Sequence, residues 1–338
     1  MRALQLVAIG APLEERALTP PEAGPGEVVV DVAAAGICHS DVHYRNGVGK
    51  IGPLPLTLGH EIAGTVAEVG EGIDSARVGA RVGIHYVVSC GSCDRCRRHG
   101  EQFCETYQMV GKDRDGGYAE AIVVPDRNAV ELPDGLDIRH AAVMMCSSVT
   151  ALHSLHRAAM RARDVVAVFG VGGLGLSAVQ IASALGAGAV LAVDRDGDRL
   201  ARAEALGATA VESGEARRAI LEAGGADVAL DLVGSGSLLR TALDTMAPGG
   251  RVVSVGLTGD TVDLRPLPDL IAREIAVMGS NDHTIDEVHE VLTMAETGRL
   301  RLDTVVTDEV PLQAVEVNRA MDDLSRYGSG GRRVIVPG

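Results

Sequence analysis

Two kinds of hydrophobic patterning divide the chain. Through residue 147 or so, short β-branched runs stand between Gly and Pro: EVVVDVAAAG (27–36), EIAGTVAEVG (61–70), ARVGI (80–84) and YAEAIVVP (118–125). Runs bounded in this way predict strands of an irregular, mostly antiparallel β domain. Near residue 148 the pattern switches. SVTALHSLHRAAM (148–160) has helical spacing and leads into DVVAVFG (164–170), a continuous apolar run. LSAVQIASALGA (176–187), AVLAVD (189–194), DRLARAEALGA (198–208), DVALDLVG (227–234), SLLRTALDTM (237–246) and GRVVSVG (250–256) then follow, helix and strand by turns. That alternation predicts a doubly wound parallel sheet, because parallel neighbours need a crossover helix. The tail adds a helix, DEVHEVLTMAETG (286–298), and a last strand, GGRRVIVPG (330–338), placed to return to the first domain. The expectation is an α/β protein of two domains: 1–147 with 286–338, and 148–285.

Composition fits this picture and narrows the partners. A chain of 338 residues exceeds what one core usually serves, and 46% apolar residues can fill two. With no Trp and two Phe, those cores must be built from Val, Leu, Ile and Ala. A formal net charge of −15 argues against a nucleic-acid partner, which needs a basic surface. The opening MRALQLVAIGAPLEERALTP lacks a long apolar signal stretch, and no run approaches the ~18 apolar residues of a membrane span. A cytoplasmic protein without a membrane partner is expected. There, clustered cysteines favour metal binding or catalysis over disulfides.

One motif speaks for a dinucleotide. GVGGLG (170–175) fits G-x-G-x-x-G, follows the strand DVVAVF and opens a helix, and Asp194 ends the next strand 19 residues beyond Gly175. Gly170 makes the tight turn, Gly172 lets the backbone approach a pyrophosphate, and Gly175 allows close helix–strand packing; Gly173 and Leu174 complete the loop. The helix N-terminus offers free N–H groups and a positive dipole end. A carboxylate at Asp194 accepts the ribose hydroxyls and repels a 2′-phosphate, which favours NAD over NADP; Arg195 and Arg199 are nearby cations that temper the preference.

The six cysteines fall into two groups. Cys90, Cys93, Cys96 and Cys104 are spaced C-x2-C-x2-C-x7-C within CGSCDRCRRHGEQFC. Four close thiolates suit a tetrahedral zinc and saturate it, which makes such a site structural. An iron–sulfur run of the kind that ends C-P does not fit, because Glu105 follows Cys104. A redox CxxC pair lacks its thioredoxin-like context. Cys38 and Cys146 have no cysteine neighbour. They read either as two buried thiols or, with His60 of GHE (59–61), as a Cys–His–Cys set with an open fourth position, a known catalytic zinc arrangement.

The order and spacing of CHSDVH (38–43), GHE, the four-cysteine lobe, MCSSVT (145–150), GVGGLG and Asp194 resemble a zinc-dependent medium-chain alcohol dehydrogenase along essentially the whole chain. The resemblance implies a GroES-like catalytic domain and a Rossmann domain. It implies that Cys38, His60 and Cys146 bind a catalytic zinc, that Glu61 is a second carboxylate at that metal, and that Asp41 orients the ligand histidine. Ser40 then takes the substrate proton, which passes through the cofactor ribose to His43 and water. His39 and Arg332 touch the pyrophosphate; Val233, Val255, Leu257, Ser280 and Asn281 line the nicotinamide side. His85, His99, His140, His153, His156, His283 and His289 match no role. The implied cofactors are NAD and two zinc ions per chain, and the implied reaction is reversible oxidation of primary or secondary alcohols to aldehydes or ketones.

The family's polyol and sugar dehydrogenases often use Glu as third ligand, so Cys146 points to the alcohol branch. A zinc-free quinone reductase would lack Cys38, His60 and the lobe, and a non-catalytic NAD-binding protein would lose ligands or relay residues. Relatives specific for very small alcohols narrow the pocket with Trp. Here Tyr86 stands at one such position, and Arg45, Asn46 and Gly47 replace another bulky stretch. A roomier pocket for medium-chain, secondary or aromatic alcohols is expected. Relatives of this length imply a homo-oligomer, a tetramer ahead of a dimer, assembled through the cofactor domain's edge strand.

Overall fold

The structure, a computed structural model, describes residues 1–326 and 331–338. It divides into two compact units: Met1–Cys146, His283–Glu296 and Val306–Gly338 form one, Ser147–Asp282 and Thr297–Val305 the other.

The second unit is built on a six-stranded, wholly parallel sheet in the order Thr209–Glu212, Ala189–Asp194, Val165–Phe169, Ala226–Asp231, Met246–Ser254, Ala276–Gly279. The central strands carry continuous apolar runs because helices cover both faces of a parallel sheet. Val166, Ala167, Val168 and Phe169 have no exposed surface. Strand order reverses on either side of Val165–Phe169, the topological switch point at which open α/β sheets bind ligands beyond the strands' carboxyl ends. Gly170 lies at that end.

The first unit is a mixed β structure. Its largest sheet runs Ala129–Glu131, Arg81–Ile84, Glu61–Val69, Glu27–Gly36, Arg332–Val336, Val306–Pro311, with Ala121–Pro125 also paired to Glu27–Gly36. Only the two C-terminal strands pair in parallel; the rest are antiparallel. The expected strand at 118–125 begins only at Ala121; Tyr118 is given over to the interior, with no exposed surface. Of the expected last strand, Arg332–Val336 is formed, and Gly330 lies outside the described residues.

The division departs from the expected one at Ser147, which falls in the second unit, at residues 283–285, which fall in the first, and at one longer segment. Thr297–Val305 packs with the second unit, not the first. Its backbone N–H at Arg301 is accepted by Gln180, and the Arg299 and Arg301 guanidinium groups donate to Ala184 O and Ala205 O. These carbonyls end the helices Gly173–Ala184 and Gly197–Ala205. Cations there satisfy groups that a helix leaves unpaired and oppose its negative dipole end.

Phe169 fills the core directly before the glycine turn. Phe169→Ala is expected to lower stability by about 3–5 kcal/mol, the usual cost of emptying a fully buried aromatic site; urea denaturation measures it.

Candidate metal centres and cofactor loop

The first centre is assembled by one carboxylate. Cys38 is the N-cap of the short helix His39–Arg45, and Asp41 is that helix's third residue. Asp41 Oδ2 accepts the Cys38 backbone N–H at 3.0 Å, while Oδ1 meets His60 Nδ1 at 2.9 Å. The His60 ring is thereby turned with Nε2 toward the centre, and its basicity as a ligand is raised. Cys38, His60, Glu61 and Cys146 are all buried, and their donor atoms lie within 4.8 Å of one another. Cys146 reaches this point from a π-helical turn, Met144–Ser148, an irregularity frequent at functional sites.

No sequence motif marks Tyr118. Its hydroxyl donates to Asp41 Oδ2 at 2.9 Å, and ring and carboxylate are both inaccessible to solvent. Gly59, at φ +96°, makes room for it: a Cβ there would stand 2.3 Å from the Tyr118 ring. The only sequence cue was a tyrosine after two glycines.

Glu61 is inaccessible too, with Oε1 3.0 Å from Arg332, and neither of its oxygens has a well-directed hydrogen bond among the described residues. Gly36 is what admits it, since a Cβ at Gly36 would meet Glu61 Oε2 at 2.1 Å. Burial pushes the Glu61 carboxyl up to about 8, against the pull of Arg332. A hydrogen bond from Cys146 holds Cys38 well below the ordinary thiol value, while the same bond and burial drive Cys146 up. Burial lowers His60, but Asp41 and Cys38 more than reverse it, and its pKa is raised. Two sulfurs, one imidazole and one orphaned carboxylate, crowded and dry, form a donor set that fits zinc.

Ser40 Oγ stands 3.7 Å from Cys38 Sγ. His43 lies one turn along the same helix, 5.0 Å from His39 ring to ring, and burial lowers its pKa. Arg332 is buried beside Glu61 and donates weakly to Ile37 O. Arg45 is buried and ion-paired to Asp322 at 2.7 Å, which ties the helix carrying Ser40 and His43 to the helix Ala314–Ser325.

The four remaining cysteines form the second centre. Their sulfurs lie 4.0 Å (Cys90–Cys96), 3.5 Å (Cys93–Cys96), 3.9 Å (Cys93–Cys104) and 3.6 Å (Cys90–Cys104) apart. A tetrahedron of zinc–sulfur bonds has edges of about 3.8 Å, so the set fits zinc with no further position. Disulfide pairing is absent, all six cysteines being free. Backbone N–H groups of Ser92 and Cys93 stabilise the Cys90 thiolate and bring its pKa down to about 5.

In the second unit, Gly170 has φ +91°, and a Cβ at Gly175 would strike Gly170 O at 2.0 Å. At Gly172, the N-cap of Gly173–Ala184, a Cβ would meet nothing within 4 Å: the space there is open to a ligand. Asp194 accepts N–H groups from Val171 (2.9 Å), Arg195 (2.8 Å) and Asp196 (3.1 Å), and Arg199 lies 3.9 Å away. Val233, Val255 and Leu257, with Ser280 and Asn281, follow three neighbouring strands at their carboxyl ends. Ser280 Oγ is 3.3 Å from Ser154 Oγ, and Asn281 turns to Asp282.

A β-rich unit with two zinc-type donor sets, joined in one chain to a Rossmann unit, defines the class as a zinc-binding dehydrogenase. Residues 24–134 match the alcohol dehydrogenase GroES-like domain, and residues 173–297 match the zinc-binding dehydrogenase family. An NAD-dependent alcohol dehydrogenase of Sulfurisphaera tokodaii is 33% identical over the full length of both chains. The alcohol dehydrogenase of the hyperthermophilic archaeon Aeropyrum pernix superposes with a TM-score of 0.92 at 30% identity, covering 100% of each chain. A cobalt- and zinc-bound thermostable alcohol dehydrogenase from Pyrobaculum aerophilum superposes at 0.90 with 31% identity, covering 100% of this chain and 99% of that one. The chain belongs to the zinc-dependent medium-chain alcohol dehydrogenase family.

Tyr118 holds Asp41, which holds His60. Tyr118→Phe is therefore expected to speed loss of the buried metal to a chelator, with affinity falling about tenfold, the low end for outer-shell partners. Competition with a zinc-binding dye measures it, and retention of the four-cysteine metal serves as the internal control.

Proposed function

We propose that the chain catalyses the reversible, NAD-linked oxidation of primary or secondary alcohols at the Cys38–His60–Cys146 donor set, with a second, structural zinc on Cys90, Cys93, Cys96 and Cys104. The observation that carries this reading is the buried donor cluster with Ser40 Oγ 3.7 Å from Cys38 Sγ and His43 one turn further on. Zinc held there supplies Lewis acidity that lowers the pKa of an alcohol oxygen, and NAD supplies the hydride acceptor.

The chain's own groups do the rest. Ser40 Oγ accepts the alcohol proton. His43, whose pKa is lowered by partial burial, receives the proton and passes it to water. Asp41 fixes the ring of His60 and the backbone at Cys38. Glu61, paired with Arg332, offers a further oxygen to the metal. Gly170, Gly172, Gly173, Leu174 and Gly175 present backbone to the pyrophosphate, with His39 and Arg332 assisting; Asp194 receives the ribose hydroxyls, beside Arg195 and Arg199. Val233, Val255, Leu257, Ser280 and Asn281 line the nicotinamide side.

Medium-chain, secondary and aromatic alcohols are the favoured substrates. Bulk is modest: Tyr86 stands 5.2 Å from His60 ring to ring, and the Arg45 guanidinium is spent on Asp322. Ser40→Ala is expected to lower kcat for 1-hexanol about a hundredfold, within the usual range of general acid–base catalysis. Zinc should stay at two per chain and the Kd for NADH unchanged. Steady-state kinetics with NAD, beside metal analysis, decides; an unchanged kcat would remove Ser40 from the reaction.

The reading extends to a cytoplasmic homo-oligomer, a tetramer. Reduced thiols suit that compartment, and no helix among the described residues is long and apolar enough to cross a membrane. The edge strand Ala276–Gly279 presents Val277, with Leu264, Leu267 and Ile271 exposed in the preceding segment. Ile271→Asp is expected to shift native mass toward smaller species, read by native mass spectrometry.

A further inference from the structure

Four groups outside the donor sets form a buried connection. Glu101 sits in the loop between Cys96 and Cys104 and is only 5% exposed. Carboxylates are seldom buried unless paired, and this one has three partners. It meets His85 Nε2 at 2.9 Å, accepts the backbone N–H of Ile285, and lies 3.6 Å from the Arg127 guanidinium. Ile285 is the first residue of the helix Ile285–Glu296, whose opening N–H groups have no partner within the helix. Nearby, Thr284 donates its N–H to Glu287, and His99 of the loop meets Asp286 at 2.7 Å. The cysteine loop thus grips the first turn of this helix at two points.

The residue just before that turn is His283, wholly buried. Its ring lies 5.1 Å from His85 and 4.7 Å from Tyr86, edge to face with the latter. Tyr86 in turn stands edge-on to His60, at 86° and 5.2 Å. Edge-to-face pairs at such distances are favourable and directional. The path therefore runs without a gap from Glu101 through His85, His283 and Tyr86 to the metal-facing histidine.

We propose that Glu101 is a positioning residue for substrate recognition: from within the four-cysteine loop it fixes His85 and the start of helix Ile285–Glu296, and so sets the Tyr86–His283 wall beside His60. This rests on the alcohol dehydrogenase reading of that site. Glu101 touches no reacting atom; its effect is on how the alcohol is held. The loop then does more than brace itself: it keeps a carboxylate in place for the other centre.

The test uses the zinc-loaded protein in three variants. Glu101→Ala removes every contact, Glu101→Gln keeps the acceptor oxygen, and His85→Phe keeps ring volume but loses the Glu101 bond. Expected for Glu101→Ala and His85→Phe is a KM for 1-hexanol raised about tenfold, with kcat within about twofold and zinc content and NADH affinity unchanged, a loss confined to substrate binding. Glu101→Gln should restore most of the KM. Independently of activity, hydrogen exchange across residues 285–288 should quicken in Glu101→Ala and stay near wild type in Glu101→Gln. An unchanged hexanol KM together with unchanged exchange overturns the proposal. So does a fall in kcat that tracks loss of zinc, which marks Glu101 as support for the lobe alone. Should Glu101→Ala not fold, His85→Phe decides on KM. A wild type without alcohol oxidation would defeat the activity reading, while the exchange result still judges the mechanical part.

Discussion

The buried donor set of Cys38, His60 and Cys146 hangs on the carboxylate of Asp41. It is buried and ionisable, and it binds three separate pieces of chain: the backbone at Cys38, the ring of His60 and the hydroxyl of Tyr118. A carboxylate without partners in such a place would be costly. With three charge-assisted hydrogen bonds it becomes the point from which the ligands are aimed. The same side chain completes the capping of the helix that carries Ser40 and His43. The direction of His60 and the placement of Ser40 and His43 therefore share one anchor.

The two centres solve the problem of gathering anionic donors differently. In the four-cysteine loop, backbone N–H groups approach Cys90 and favour its thiolate before any ion arrives. At Cys38 and Cys146 the bond between adjacent sulfurs lowers one thiol and raises the other, and burial raises the neighbouring Glu61 carboxyl. The first arrangement is prepared for a permanent ion by local turns. In the second, burial crowds groups that each disfavour the others' charge, and a divalent cation held there would offset that cost.

Much of this was legible in the residue order. The doubly wound sheet followed from alternating apolar runs, because burial on both faces leaves no polar alternation to confuse strand with loop. The glycine loop and the cysteine spacing carried their geometry in the sequence itself. What stayed hidden was what only tertiary contact creates. Tyr118, Glu101, His85 and His283 lie far from their partners along the chain and had no local motif. The helix Ala314–Ser325 went unread although Val317, Ala320 and Met321 mark a buried face at helical spacing. Thr297–Val305 belongs with the second unit through side-chain capping of helix ends, which hydrophobic pattern does not record.

The first unit draws its sheet from both ends of the sequence. Val334 pairs with Gly36 and Ile335 with Ala35, and Arg332 reaches Ile37 across 295 residues. Non-local pairing must meet its loop-closure entropy before it gains anything. During synthesis Cys38 and His60 are made well before the strand that brings Arg332 to Glu61. The Rossmann unit, nearly continuous in sequence, is complete while the other still waits for its closing strand. Donor residues made early thus wait for a strand made much later before the Arg332–Glu61 pair can form.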